Sequence, residues 1–192
     1  MILSLHFLIF YFMAKMFVVS DIWFNRPYGQ FSDLSTKEYN DKVIENWNSV
    51  VKQTDIVFVL GGLGISDLYT YFSKLNGEIH ILGNVFAKDE CSFYGFLRGN
   101  IDACPDPTIK NRFVFEDDQI IVLHDEDVVL SYFPLSDWGG KESGTINIHG
   151  FNAIHNFEEK SFTSMLAMHD FKPLSINGLK KMLKSIEKNV LK

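Results

Sequence analysis

The sequence predicts an α/β fold, and three observations carry the prediction. Strand-like runs at 17–19, 56–60 and 78–82, the first two wholly apolar, each end in a polar or glycine-rich tip, Ser20-Asp21, Gly61-Gly62 and Gly83-Asn84. Helical stretches separate these runs, so the chain starts as βαβαβ with a polar tip at each strand end. Beyond residue 112 the period shifts to short β-rich runs divided by turns.

The 192 residues suffice for one domain with a sizeable core, and 46% hydrophobic with 22% charged residues is ordinary globular composition. The 18 Phe favour a Phe-packed interior. A net charge of -6, with no basic stripe outside the C-terminal helix, argues against a non-specific nucleic-acid binder. Cys91 and Cys104 make neither a disulfide framework nor a metal knuckle, which fits a reducing, cytoplasmic setting.

Residues 1–12 are almost wholly apolar and carry no Lys or Arg. They are too short to span a bilayer, which takes about 20 residues, and they lack the charged start and small-residue cleavage site of a signal peptide. Met13 and Met16 are alternative starts, so 1–15 reads as an N-terminal extension and 16–192 as a single domain. An extra edge strand or helix on the domain, or a membrane-associating tail, are the other readings of that extension.

After the first strand, 25–33 is a loop. Ser35-Thr36-Lys37-Glu38 has capping-box spacing. Tyr39, Val43, Trp47 and Val50 follow at helical intervals on one apolar face, with Trp47 as a core anchor. The run 56–60 reads as a strand buried on both faces. Ser66 is placed to cap a short helix over 67–74, Asn76-Gly77 is a turn, and 78–82 is the third strand. Residues 87–112, with Pro105 and Pro107, read as irregular, the place for an insertion or lid. Strands are expected at 112–115, 119–123, 128–132, 145–149 and 162–168, with a polar turn at 156–160. Ser175 caps a final helix with Leu179, Met182, Leu183 and Ile186 on one face and Lys180, Lys181, Lys184 and Lys188 on the other.

Asp21 stands at the end of a buried strand, where open α/β folds place their sites and where a carboxylate can ligate metal. Two positions on, Trp23 cannot ligate. Gly61-Gly62-Leu63-Gly64 could cradle a phosphate, yet it lacks the Lys-Ser/Thr of a P-loop, and tight-turn chemistry accounts for it. His124-Asp125-Glu126-Asp127 lies between two apolar runs at hairpin spacing and reads as a solvated turn. His80, inside a strand, reads as a packed core or edge histidine.

The order of these motifs resembles the calcineurin-like metallophosphoesterases, in particular their small single-domain bacterial and phage branch. The segments in register are Ser20-Asp21-Ile22-Trp23-Phe24, Asn46-Trp47-Asn48, Gly61-Gly62-Leu63, Leu75-Asn76-Gly77 and Gly83-Asn84-Val85-Phe86. They continue with Ser131-Tyr132-Phe133-Pro134, His149-Gly150-Phe151-Asn152-Ala153 and Phe171-Lys172-Pro173-Leu174-Ser175. The resemblance implies an α/β/β/α sandwich of two mixed sheets flanked by helices. It also implies a two-metal centre, and here the sequence departs from the family. Of the ligand positions only Asp21 and Asn84 keep a ligating residue; the others hold Trp23, Gly62, Tyr132, Phe151 and Ala153. The position of the family's catalytic His holds Val85, and His149 matches a His that does not ligate.

A two-metal centre needs a carboxylate that bridges two cations about 3.5–4 Å apart, and Gly62 has no side chain to bridge with. The expectation is a catalytically inactive, metal-free protein of phosphoesterase fold, a pseudoenzyme with a binding or structural role, in which Trp23, Tyr132 and Phe151 fill the former metal cavity. Its partner is unknown, with a protein the favoured class. Two alternatives stand beside it. One is a phosphoesterase with a rebuilt site using Asp21, Asn84, His149 and His155 with a divalent transition metal such as Mn or Fe. The other is a nucleotide- or phosphate-binding module using the 61–64 loop and Asn84.

Overall fold

The computed structural model of the chain describes residues 14–82, 88–150 and 160–190. Its first sheet holds β1 (Met16–Val19), β2 (Ile56–Val59), β3 (Glu78–Leu82), β4 (Phe113–Glu116) and β9 (Leu174–Ser175), in the order β4-β3-β2-β1-β9. The first four are parallel and β9 runs antiparallel to β1. The second sheet is β5 (Ile120–Leu123), β6 (Val128–Ser131), β7 (Ile146–His149) and β8 (Ser161–Thr163), in that order. Here β5 and β6 are antiparallel and the remaining pairs parallel. The helices are α1 (Thr36–Val50), α2 (Leu68–Phe72), α3 (Lys88–Asp102), α4 (Pro107–Lys110) and α5 (Ile176–Val190). Among the described residues no helix is long and apolar enough to cross a membrane.

Strand alternation sorts the apolar residues into two cores. Phe17, Val19, Val57, Val59, Ile79 and Ile81 face the helices and meet Trp47 of α1, Phe72 of α2 and Leu97 and Ile101 of α3. Val18, Phe58, Leu60 and Leu82 face the other way and meet Val128, Leu130, Ile146, Ile148 and Phe162 of the second sheet. Ile176 and Leu179 of α5 join that second cluster. The result is the sandwich of two mixed sheets flanked by helices that the sequence led us to expect.

Local chemistry explains the elements. The capping box at Ser35 forms: its hydroxyl accepts from Glu38 N, and its own N–H donates to the Glu38 carboxylate at 3.0 Å. Trp47 is buried and its indole N–H donates to Asn76 O (3.0 Å), tying α1 to the turn before β3. Asp55, 2% exposed, accepts from Lys15 N (3.0 Å) and Lys52 N (2.8 Å) and so fixes the entries to β1 and β2. Ser175 Oγ accepts from Gly178 N (3.2 Å), the expected cap of α5.

Several expectations are corrected. Residues 87–112 are not an irregular lid: α3 and α4 occupy most of that stretch. In α3, Leu97 and Ile101 are buried at helical spacing, whereas Cβ atoms at Gly95 and Gly99 would point into open space. The two glycines weaken the local helical signal, and packing of the apolar face overrides it. The strand expected at 112–115 is β4, which extends the first sheet. The strand expected at 162–168 stops at Thr163 and gives way to a 3-10 turn, Leu166–His169. Ser66 does not cap α2; Asp67 holds the N-cap position in a left-handed conformation (φ 52) without a side-chain cap bond. On α5, Leu179 is buried but Met182 and Ile186 are 42% and 40% exposed, so the apolar face is only partly covered by described residues.

Candidate functional site

Because β1 and β2 are parallel neighbours, their C-terminal ends arrive side by side. The pairing runs on past both strands. Asp21 N donates to Gly61 O (2.9 Å), Trp23 N to Gly62 O (2.8 Å), Phe24 N to Leu63 O (3.1 Å) and Ile65 N to Phe24 O (2.9 Å). To follow this path the chain takes left-handed conformations at Asp21 (φ 52), Trp23 (φ 52) and Asn25 (φ 66), opposite Gly62 (φ 64) and Gly64 (φ 126). A left-handed residue that is not glycine costs roughly 1–2 kcal/mol, so the surrounding bonds must impose the conformation.

Gly62 lies directly against Asp21. A Cβ at Gly62 would sit 2.5 Å from Asp21 Cα and 2.8 Å from its N, and would overlap its Oδ1. Position 62 therefore has no room for a side chain in this backbone conformation.

A shell of hydroxyls and amides holds this tip. Tyr28 OH donates to Asp21 O, and Tyr39 OH donates to Ile22 O (2.6 Å). Burial raises the pKa of both phenols well above the ordinary 10.0, and the nearby Asp21 charge adds to the shift of Tyr28. Asn40 of α1 accepts from Asn25 N (2.9 Å) and donates to Asn25 Oδ1 (2.7 Å). Asn25 in turn donates to the carbonyls of Ile65 and Ser66, both at 2.8 Å.

The second sheet approaches from the other side. Ser20 Oγ lies 3.4 Å from Asp21 Oδ2 and 3.2 Å from Gly150 O. Gly150, just after β7, is wedged between Ser20 and Tyr132: a Cβ there would be 2.6 Å from the Tyr132 ring and 3.0 Å from Ser20 Cβ. His149 is buried, and its carbonyl accepts from Ser164 N (2.7 Å) and Ser164 Oγ (3.0 Å). Asp21 itself is 4% exposed.

The structure thus brings Asp21, Trp23 and Gly62 together at one tip, with Tyr132 and His149 reaching it through Ser20 and Gly150. Asn84, Val85, Phe151, Ala153 and His155 lie outside the described residues. Trp23 is one of the three side chains expected to fill the site. Its ring is half-buried, with the Arg26 guanidinium 5.2 Å from its centre, and main chain from the two strand tips fills the space beside Asp21. Sequence reasoning missed Tyr28, Tyr39 and Asn40 as braces. Tyr39 was legible only as part of an apolar helix face, and nothing local announces where its hydroxyl goes.

The described residues do not fit a two-metal centre. Among them no group of three or more His, Cys, Asp or Glu side chains is poised to hold a metal ion. Beside Asp21, position 62 leaves no room for a carboxylate that could bridge two cations.

No family model matches the chain. It is 26% identical over 193 aligned positions to an uncharacterized protein of Methanocaldococcus jannaschii, a match covering 89% of this chain and 92% of that protein. Among solved structures it is similar to a protein of unknown function from Aquifex aeolicus, with a TM-score of 0.56 and 17% identity over 88% of this chain and 99% of that one. That likeness is one of fold. It is also similar to a novel archaeal phosphodiesterase, with a TM-score of 0.47 and 14% identity over 79% and 82% of the two chains.

Proposed function

We propose that this chain is a metallophosphoesterase-like protein that has exchanged its dimetal centre for a closed strand tip and serves a binding or structural role. The observation that carries the reading is the packing of Gly62 on Asp21. A bridging carboxylate cannot be accommodated there without parting β1 from β2. The replacement at Trp23 supports the same reading, because an indole offers no lone pair to a metal; Tyr132 supports it less strongly, since a phenol can ligate once it has lost its proton. On this proposal Asp21, Asn84 and His149 are remnants that serve the fold, and Val85, Phe151 and Ala153 complete the loss. A reducing, cytoplasmic setting belongs to the same proposal, resting on cysteine usage.

The test is hydrolysis of bis(p-nitrophenyl) phosphate with and without Mn²⁺. The expected result is no turnover above the enzyme-free control, with or without the metal. Mn²⁺-dependent turnover that Asp21→Ala abolishes would establish a rebuilt active site and overturn the proposal.

A further inference from the structure

Among the described residues the second sheet has an uncovered edge. Of the described strands, β5 is one of the sheet's two outer ones and pairs only with β6. Ile121 and Leu123 of β5 turn inward onto the second core cluster. Ile120 and Val122 alternate with them and are 45% and 47% exposed. Folded proteins commonly blunt such edges with Lys, Pro or a bulge, and β5, Ile-Ile-Val-Leu, has none of these.

Beside the strand lies a preformed groove of about 520 Å³. Val122, Val129, Leu135 and Trp138 give it apolar walls. Trp138 is held in place by its indole N–H, which donates to Thr145 O (2.9 Å). Asp127 and Asp137 stand on its rim with His124; Lys141 is stacked 4.6 Å from the Trp138 ring centre, and Lys160, Lys180 and Lys184 share a neighbouring cavity with Asp127.

Both ends of β5 are acidic. Glu116, Asp117 and Asp118 precede it, and Asp125, Glu126 and Asp127 follow. Glu126 is paired with Lys180 (2.7 Å), and Asp117 lies 3.6 Å from Arg98. This pattern opposes self-pairing. An antiparallel β5–β5 contact centred between Ile121 and Val122 sets Asp118 against the second copy's Asp125, and Asp117 against its Glu126. Sliding by one residue sets Asp117 against Asp125 or Asp127 instead. Like charges directly opposite one another destabilise a strand pair.

We propose that β5 and its groove form a docking edge for an extended segment of a partner protein, apolar at alternate positions and carrying Lys or Arg at both ends. The segment adds as a strand to β5, so that main-chain hydrogen bonds supply affinity and alternate side chains supply specificity. Its apolar residues lie beside Ile120 and Val122, and its terminal cations meet the carboxylates at either end of the edge. The site is separate from the strand tip at Asp21 and does not depend on whether that tip binds metal.

The test is a titration of the full chain with a fluorescently labelled peptide, Lys-Arg-Thr-Val-Thr-Val-Thr-Arg-Lys, followed by anisotropy. A saturable rise that weakens with added salt is expected. A twin peptide with Glu at the four basic positions is expected to bind at least about tenfold more weakly. Val122→Lys on the half-exposed edge, checked for native circular dichroism, is expected to lose binding by a similar factor, about tenfold or more. Absence of binding, equal binding of the twin, or undiminished binding to Val122→Lys would each overturn the proposal. Sedimentation of the chain alone is expected to show no β5-mediated dimer. A dimer that Val122→Lys dissociates would make a second copy the occupant and refute the basic partner.

Discussion

Placing a carboxylate at position 62 with Gly62→Asp is expected to unfold the strand tip, not to create a metal site. The glycine sits at φ 64, and an added Cβ lies 2.5 Å from Asp21 Cα. Left-handed backbone alone costs an ordinary residue about 1–2 kcal/mol. Relieving the overlap requires the two tips to part, which strains the bonds from Asp21 N to Gly61 O and from Trp23 N to Gly62 O. Leaving buried donors unmet costs about 1–3 kcal/mol each. The total is on the order of 4 kcal/mol, a large share of the 5–15 kcal/mol that typically stabilises a domain. For a chain of this size that corresponds to a fall in Tm of roughly 8–16 °C. Gly62→Ala carries the same steric and conformational penalties and should lose nearly as much; the aspartate adds repulsion with Asp21. Thermal and urea unfolding of both variants measure the effect. If Gly62→Asp lies within about 1 kcal/mol of the parent, or if Mn²⁺ raises its Tm, the tip has room for a ligand and the reasoning fails.

Asp55→Ala removes a buried carboxylate that accepts from Lys15 N and Lys52 N; urea unfolding should show a loss of about 2–4 kcal/mol, with Asp55→Asn intermediate. His169 is held below its ordinary pKa of 6.5, chiefly by burial, while its Nε2–H donates to Thr163 O (2.8 Å). The folded chain therefore prefers the neutral imidazole and the unfolded chain binds the extra proton more readily. That contribution to stability is complete above about pH 6.5 and is lost as the pH falls below it. Urea unfolding from about pH 7 to about pH 5 should show His169→Gln with a shallower decline than the parent; an unchanged slope would remove His169 from the account.

The parts of the fold that follow from local rules were legible in the sequence. The capping box at Ser35 and the cap at Ser175 form as their spacing demands. β1, β2 and β3 pair in parallel, as strands joined by helical crossovers should. What escaped depends on tertiary contact. Nothing in 87–112 outweighs two glycines until Leu97 and Ile101 find the first sheet. Phe162-Thr163-Ser164-Met165 reads as continuous strand, yet the backbone leaves the sheet where Leu166 N bonds to Ser20 O (3.0 Å). At the strand tip, the identity of Trp23 and Gly62 spoke against a ligand set, but the manner of closure was not readable. Left-handed backbone at Asp21 and Trp23 is a consequence of zipping two strand ends together, and no residue there advertises it as a glycine would.

On the proposed function the strand tip at Asp21 holds no dimetal centre, and metal content tests this most directly. Purified chain, incubated with excess Mn²⁺ and desalted, should carry essentially no Mn, Fe, Zn or Ni by elemental analysis. About two transition-metal ions per chain, lost on Asp21→Ala, would show an intact dimetal centre and contradict the account.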